Sequence, residues 1–295
     1  MIKNLVTIII PVYNNVEYLK DSLASVVSQT YPYIEIIVVD DGSKKHGQIV
    51  NICKQFKKKI NIIKLAKNQG VSSALNMGIL ASKGQYINWL SHDDLFTPTK
   101  IDDQMKLIRG SYNNISITNF IVWDTEKNTK TRSKQQEKDF ANFKERILTR
   151  DIFNFCTFLI PRSLFFKNLF NEQLKYTQDY DMMLRLTNKA NFSFLNKDLF
   201  ISRKHSKQGS NIKKKEWISE KNNFYIKNIT FYLELLKKSS IIKIFCILTL
   251  LYLKKLENFS LVLDKNISKL GSKKIMCINI FSKNFTRVLN VFKAL

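Results

Sequence analysis

Four short apolar runs, each about the length of a strand, occupy the first ninety residues, and an amphipathic stretch separates each from the next. The runs are Leu5–Val12, Ile34–Val39, Ile60–Leu65 and Tyr86–Leu90. They are continuous and rich in Ile and Val, not alternating with polar residues, as strands covered on both faces are. The stretches between them, Glu17–Gln29, Gln48–Phe56 and Ser72–Ser82, read as helices. The first places Tyr18, Leu19, Leu23, Val26 and Val27 on one face. Strand, helix, strand, helix at this spacing predicts an α/β fold with a mostly parallel sheet, right-handed crossovers and helices on its faces. Ligands of such a sheet gather beyond the C-terminal ends of its strands.

Three of the strand ends carry polar clusters: Pro11-Val12-Tyr13-Asn14, Asp40-Asp41-Gly42-Ser43 and Ser91-His92-Asp93-Asp94. In a parallel sheet all three project from one edge. Carboxylates at such an edge suit a hard divalent cation that bridges nucleotide phosphates, although adjacent aspartates are also ordinary residues of a solvated turn. After Leu107 the regularity fades. Thr125–Lys138 reads as a mobile surface loop, Phe153–Ile160 restores an apolar run, and Thr177-Gln178-Asp179-Tyr180-Asp181 opens a further helix.

The 295 residues, 44% of them apolar, can bury a sizeable core. Lys and Arg number 48 against 24 Asp and Glu, a formal charge of +24. Ser202–Leu295 alone holds 20 basic and 5 acidic residues, so the excess lies towards the C-terminal end. Such a charge attracts phosphates, nucleic acid or an anionic membrane face; a codon bias towards Lys, Asn, Ile and Phe accounts for part of it. Cys53, Cys156, Cys246 and Cys277 lack C-x-x-C spacing, and three His do not complete a zinc set with them, so reduced thiols in a cytoplasmic protein are expected. No signal-peptide pattern opens the sequence. Ile241–Leu253 is too short to span a bilayer. It reads either as a buried core helix or as a helix lying in the membrane interface beside Lys254 and Lys255.

The string Val6-Thr7-Ile8-Ile9-Ile10-Pro11-Val12-Tyr13-Asn14-Asn15, followed by Ser28-Gln29-Thr30-Tyr31 and Glu35-Ile36-Ile37-Val38-Val39-Asp40-Asp41-Gly42-Ser43, resembles the opening of the family 2 glycosyltransferases. The likeness continues in order through Asn68-Gln69-Gly70, Ala74-Leu75-Asn76-Met77-Gly78, Ala81, Gly84-Gln85-Tyr86-Ile87, Asp93-Asp94, Pro161-Arg162-Ser163 and Gln178-Asp179-Tyr180-Asp181. It ends near Arg203-Lys204-His205 and Ser210, so it covers about the first 210 residues. It implies a GT-A, Rossmann-like catalytic domain over residues 1–205 and leaves 206–295 as a basic, mainly helical C-terminal region suited to association with a membrane.

The resemblance also implies roles. Pro11, Val12 and Tyr13, with Asp41, would hold the nucleobase of a nucleotide-sugar donor, and Asn68 would join the donor site. Asp93 would coordinate Mg or Mn at the diphosphate; Arg203 and His205 would meet the departing diphosphate, with His205 as a second metal ligand. Asp179 would be the general base that deprotonates the acceptor hydroxyl. Three positions depart from the family pattern: Ser91 replaces the first carboxylate of D-x-D, Leu75 replaces an Arg, and Gln178 replaces a Glu. The last exchange removes a charge beside Asp179 and so predicts easier ionisation of that carboxyl.

The function implied is inverting transfer of one sugar from a nucleoside-diphosphate sugar, a UDP-sugar for preference, to a hydroxyl of a glycan or lipid-linked acceptor. The enzyme would work at the inner face of the cell membrane, where an anionic lipid surface meets its basic tail. Alternatives are a sugar nucleotidyltransferase, for which the Gly-rich phosphate loop is missing after the first strand, a non-catalytic family member, and a basic nucleic-acid-binding protein. The acidic strand ends disfavour nucleic acid as a partner.

Overall fold

A computed structural model describes residues 1–133, 143, 147, 153–206, 208 and 214–228. The chain divides into two compact units, one of which contains everything described up to residue 208; helix α6 (Lys214–Lys227) belongs to the other. Cys246, Cys277 and Ile241–Leu253 lie outside the described residues. Among the described residues no helix is long and apolar enough to cross a membrane.

The first sheet has the order β3-β2-β1-β4-β8. Its strands are β1 (Ile2–Val12), β2 (Ile34–Asp40), β3 (Ile60–Lys64), β4 (Gly84–Trp89) and the two-residue β8 (Ile160–Pro161). The first four run parallel, and β8 pairs antiparallel with β4. Central β1 is sealed on both faces, with Val6, Ile8, Ile9 and Ile10 wholly buried, each contributing about 2 kcal/mol of apolar burial. Connecting helices are α1 (Leu19–Val27), α2 (His46–Lys54) and α3 (Val71–Ala81). Helix α3 lies directly on β1 because Gly78 has no side chain: a Cβ there would sit 2.5 Å from Ile9 Cγ2. Strand order reverses at β1, with β2 on one side and β4 on the other, and a crevice opens at such a reversal beyond the strand ends.

A second sheet of order β5-β9-β6-β7 combines β5 (Leu95–Phe96), β6 (Asn114–Asp124), β7 (Thr129–Arg132) and β9 (Asn191–Lys204). Helix α4 (Lys100–Ile108) lies between β5 and β6, and α5 (Gln178–Leu186) leads into β9. The expected loop over Thr125–Lys138 needs correction at Thr129–Arg132, where β7 pairs antiparallel with β6 from Asp124–Thr129 to Ile121–Arg132; residues 134–138 lie outside the described residues. All four β7 residues are exposed; an edge strand with no buried face carries no apolar signal. Leu95 pairs with Ile201, and this register brings Asp93-Asp94 beside the C-terminal end of β9.

Candidate active site

The ends of β1 and β2 are stitched together by main-chain and side-chain bonds. The Asp41 N–H donates to the Val12 carbonyl (2.9 Å), Asn14 N–H donates to Ser43 Oγ (2.8 Å), and Asn14 Oδ1 accepts from Lys44 N–H (2.9 Å). Gly42 turns the chain at φ +70°, and a Cβ on it would strike the Lys67–Asn68 peptide at 2.4 Å, so only glycine fits. Exposed Asn68 thus lies against the turn that carries Asp41. Asp40 is fully buried and braces that turn, accepting from Ser43 N–H (2.8 Å) and meeting His46 Nδ1 at 2.6 Å. Asp41 accepts from Gln69 N–H (2.7 Å) and Gly70 N–H (2.8 Å), the approach to α3, and supplies the negative charge that a helix N-terminus favours. Burial raises its pKa, and the two N–H donors oppose the rise. Val12 is buried, whereas Tyr13 is half-exposed and open to a ligand.

On the other side of β1, Asp94 is buried and accepts from the Arg203 N–H (2.8 Å). Burial first, and the charge of Asp93 second, push its carboxyl well above the usual range. Just beyond the end of β9, His205 Nε2 lies 3.1 Å from Asp93 Oδ2, so these two predicted metal ligands meet. The Arg203 guanidinium is buried between Tyr18 (4.6 Å) and Trp123 (5.5 Å) and ion-paired to Asp21 (2.8 Å). It is tied to α1, a partner that the sequence reading missed.

Asp179 stands in the first turn of α5 and lines a cleft of about 310 Å³. The walls include Pro11 of β1, Val71 and Leu75 of α3, Trp89 and Ser91 at the end of β4, Phe153, Phe155 and Cys156, with Gln178 and Tyr180 beside Asp179. Asp179 Oδ1 and Gln178 Oε1 are both sealed from solvent and accept no hydrogen bond. Burial raises the Asp179 pKa to about 7. The expected easing of its ionisation is thereby corrected: losing the charge at position 178 matters less than enclosing the carboxyl among apolar and aromatic walls. Asp181 is engaged otherwise, in an i,i+4 ion pair with Arg185 (3.0 Å).

Of the predicted site residues, Pro11 and Asp179 line the cleft; Val12, Tyr13, Asp41, Asn68, Asp93, Arg203 and His205 do not. They lie near it in the chain: Asp41 holds Gly70, next to wall residue Val71, and Asp93 follows wall residue Ser91 by two. Sequence reasoning missed Trp89, Phe153, Phe155 and Cys156. The apolar run at 153–160 was visible, but not that it folds over a strand end.

Among the described residues no group of three His, Cys, Asp or Glu gathers that could hold a metal ion. Asp93 and His205 supply one oxygen and one nitrogen, donors of the kind a divalent cation accepts.

Two sheets, the first mostly parallel, with a carboxylate-bearing cleft at the strand-order reversal, define an α/β protein of the Rossmann-like type. Residues 7–172 match the model of glycosyl transferase family 2, more than half the chain, and the chain belongs to that family. An uncharacterized glycosyltransferase of Rickettsia felis is 38% identical over 213 residues, covering 70% of this chain and 35% of its own. The chain thus spans about a third of that relative. One from Methanocaldococcus jannaschii is 26% identical over 279 residues, covering 87% of this chain and 93% of its own. The fold matches the crystal structure of S. aureus TarS 1-349 in complex with UDP-GlcNAc at TM-score 0.63 and 15% identity, over 96% of this chain and 92% of that one. The fold is therefore of the GT-A type.

Proposed function

We propose that the protein transfers one sugar from a nucleoside-diphosphate sugar to an acceptor hydroxyl with inversion, Asp179 acting as general base. The observation that carries this reading is a carboxylate oxygen with no hydrogen-bond partner, in a cleft beyond the ends of β1 and β4. A carboxyl with a pKa of about 7 is half-ionised at neutral pH, the balance at which a base combines availability with proton affinity. The base-binding end of the donor falls to Tyr13, Asp41 and Asn68, and UDP-GlcNAc is the donor to test first, since it is the ligand of a structural neighbour. Asp93 and His205 would hold Mg or Mn, which when bound offsets charge on the leaving diphosphate. Arg203 would contribute positive charge near that end, partly offset by its ion pair with Asp21. Among the described residues no second carboxylate lines the cleft, which favours a single displacement over a covalent glycosyl-enzyme.

The acceptor is proposed to be a glycan or lipid-linked oligosaccharide at the cytoplasmic leaflet, drawn by the basic excess of the C-terminal region. The test is nucleoside-diphosphate release from UDP-GlcNAc and a donor panel, with and without Mn. Asp179→Asn should leave donor affinity nearly intact and lower turnover by at least ~100-fold. Undiminished turnover in that variant overturns the assignment of the base.

A further inference from the structure

We propose that Asn76 is a positioning residue for Asp179, acting through the strap of residues 168–174 that joins α3 to α5. The inference rests on the reading of Asp179 as the base. Asn76 is buried on α3 and points its amide at the strap, bonding both main-chain groups of Phe170. Its Nδ2 donates to the Phe170 carbonyl (3.0 Å) and to Glu172 Oε1 (2.9 Å), while its Oδ1 accepts from Phe170 N–H (2.9 Å). One turn earlier, Ser72 Oγ donates to the Leu174 carbonyl (3.0 Å). From the opposite side α5 holds the same strap: Arg185 donates to the Leu169 carbonyl (2.7 Å), and Lys189, just beyond the helix, donates to Asn168 Oδ1 (2.9 Å). The Phe170 ring packs edge-on against Trp89, a wall of the cleft, at 5.4 Å.

The chemistry of the side chain decides why this residue is an asparagine. A primary amide offers a donor and an acceptor side by side, the pair needed to satisfy both the N–H and the carbonyl of Phe170. Aspartate loses the donors, alanine loses all three bonds, and glutamine places the amide one methylene too far. Helix α3 also supplies Val71 and Leu75 to the cleft, so one rigid element sets both a wall and, through the strap, the seat of α5. Releasing the strap lets α5 and that wall part and admits water to Asp179 Oδ1. The titratable groups facing Asp179 are Cys156, from the turn after Asn154, and Tyr180 on its own helix; β1, β4 and α3 present none to the cleft.

The test is a carbon-13 NMR titration of the Asp179 carboxyl in the full chain, its resonance assigned by loss in Asp179→Asn. In Asn76→Ala the midpoint should fall by at least one pH unit, a tenfold change in ionisation, and in Ser72→Ala by less in the same direction. Donor turnover should follow, with kcat reduced and the donor KM within about twofold. If Asn76→Ala unfolds, Ser72→Ala bears the test. Midpoints equal to wild type in the folded variants, whatever their melting temperatures, overturn the proposal. If instead Asp179→Asn keeps full turnover, the base assignment fails, and the titration still decides whether Asn76 positions the carboxyl.

Discussion

Replacing Asp179 by asparagine should make the protein more stable while making it inactive, and the gain should depend on pH with a definite sign. The carboxyl has a pKa of about 7 in the folded chain against 3.8 in the unfolded one. Between these values the folded state binds the proton and the unfolded state does not, so stability falls as pH rises through that window. Below it both states are protonated and no cost exists; above it the cost is complete. About three pH units at 1.36 kcal/mol each bound the cost near 4 kcal/mol, and the partial exposure of the residue as a whole reduces the expectation to about 1–3 kcal/mol. Asparagine keeps the shape and carries no charge. Any penalty for its buried amide is the same at every pH, so the pH dependence isolates the carboxylate. The assay is thermal unfolding of both proteins at pH 4, 5.5, 7 and 8.5. The melting-temperature difference should grow in favour of Asp179→Asn from pH 4 to about 7.5 and then level off. A difference that stays flat would show that the carboxyl is not held in an apolar enclosure, and the explanation of its pKa would fail with it.

The remaining predictions concern other parts of the molecule. Gly78→Ala places a Cβ 2.5 Å from Ile9 Cγ2, on a stiff, fully buried side chain, and should cost about 1–3 kcal/mol in denaturant unfolding; a neutral variant would show that α3 does not rest directly on β1. Lys100 is fully buried, bonded to Gln104 Oε1 (2.7 Å), with burial lowering its pKa to about 7. Because the unfolded state holds the extra proton from about pH 7 to 10.5, Lys100→Met should be most favourable relative to wild type below pH 7, and the advantage should shrink as pH rises. Asp93→Ala and His205→Ala should each raise the Mn concentration for half-maximal activity by at least ~10-fold, the scale seen even for partners of metal ligands; unchanged Mn dependence removes the pair from the metal.

The first sheet was legible because its strands are covered on both faces and therefore appear as unbroken β-branched runs, Ile8-Ile9-Ile10 being the clearest. The second was not. β9 pairs with β6 across about eighty residues of sequence and shifts register at Thr118, Asn119 and Phe120. Its burial follows no simple period, with Lys197 exposed in mid-strand, so nothing local announces it. The site shows the same division. Asp41, Asp93 and Asp179 were named from short strings that resemble the family's, and of the three only Asp179 lines the cleft. The Asp21 partner of Arg203 lies 182 residues away, and the walls around Asp179 come from β1, α3, β4 and the turn after Asn154; those depend on tertiary packing alone.

The three departures from the family pattern acquire a common physical consequence once the cleft is known. Ser91, Leu75 and Gln178 all line it, and each is neutral where the family places a charge. A guanidinium at position 75 would attract the carboxylate of Asp179 and lower its pKa, whereas carboxylates at 91 or 178 would repel it and raise the pKa. With all three absent these effects vanish together, leaving burial as the cause that sets the pKa near 7. The proton affinity of the Asp179 carboxyl is then governed by how tightly the apolar walls close, a property of packing, and on the proposed reading it becomes sensitive to distant contacts such as those of Asn76 and Ser72. A site tuned by a neighbouring charge would be indifferent to a loosened strap of this kind. One tuned by enclosure is not, and that is why the pH dependence of stability and the titration of Asp179 examine the same physical cause from two directions.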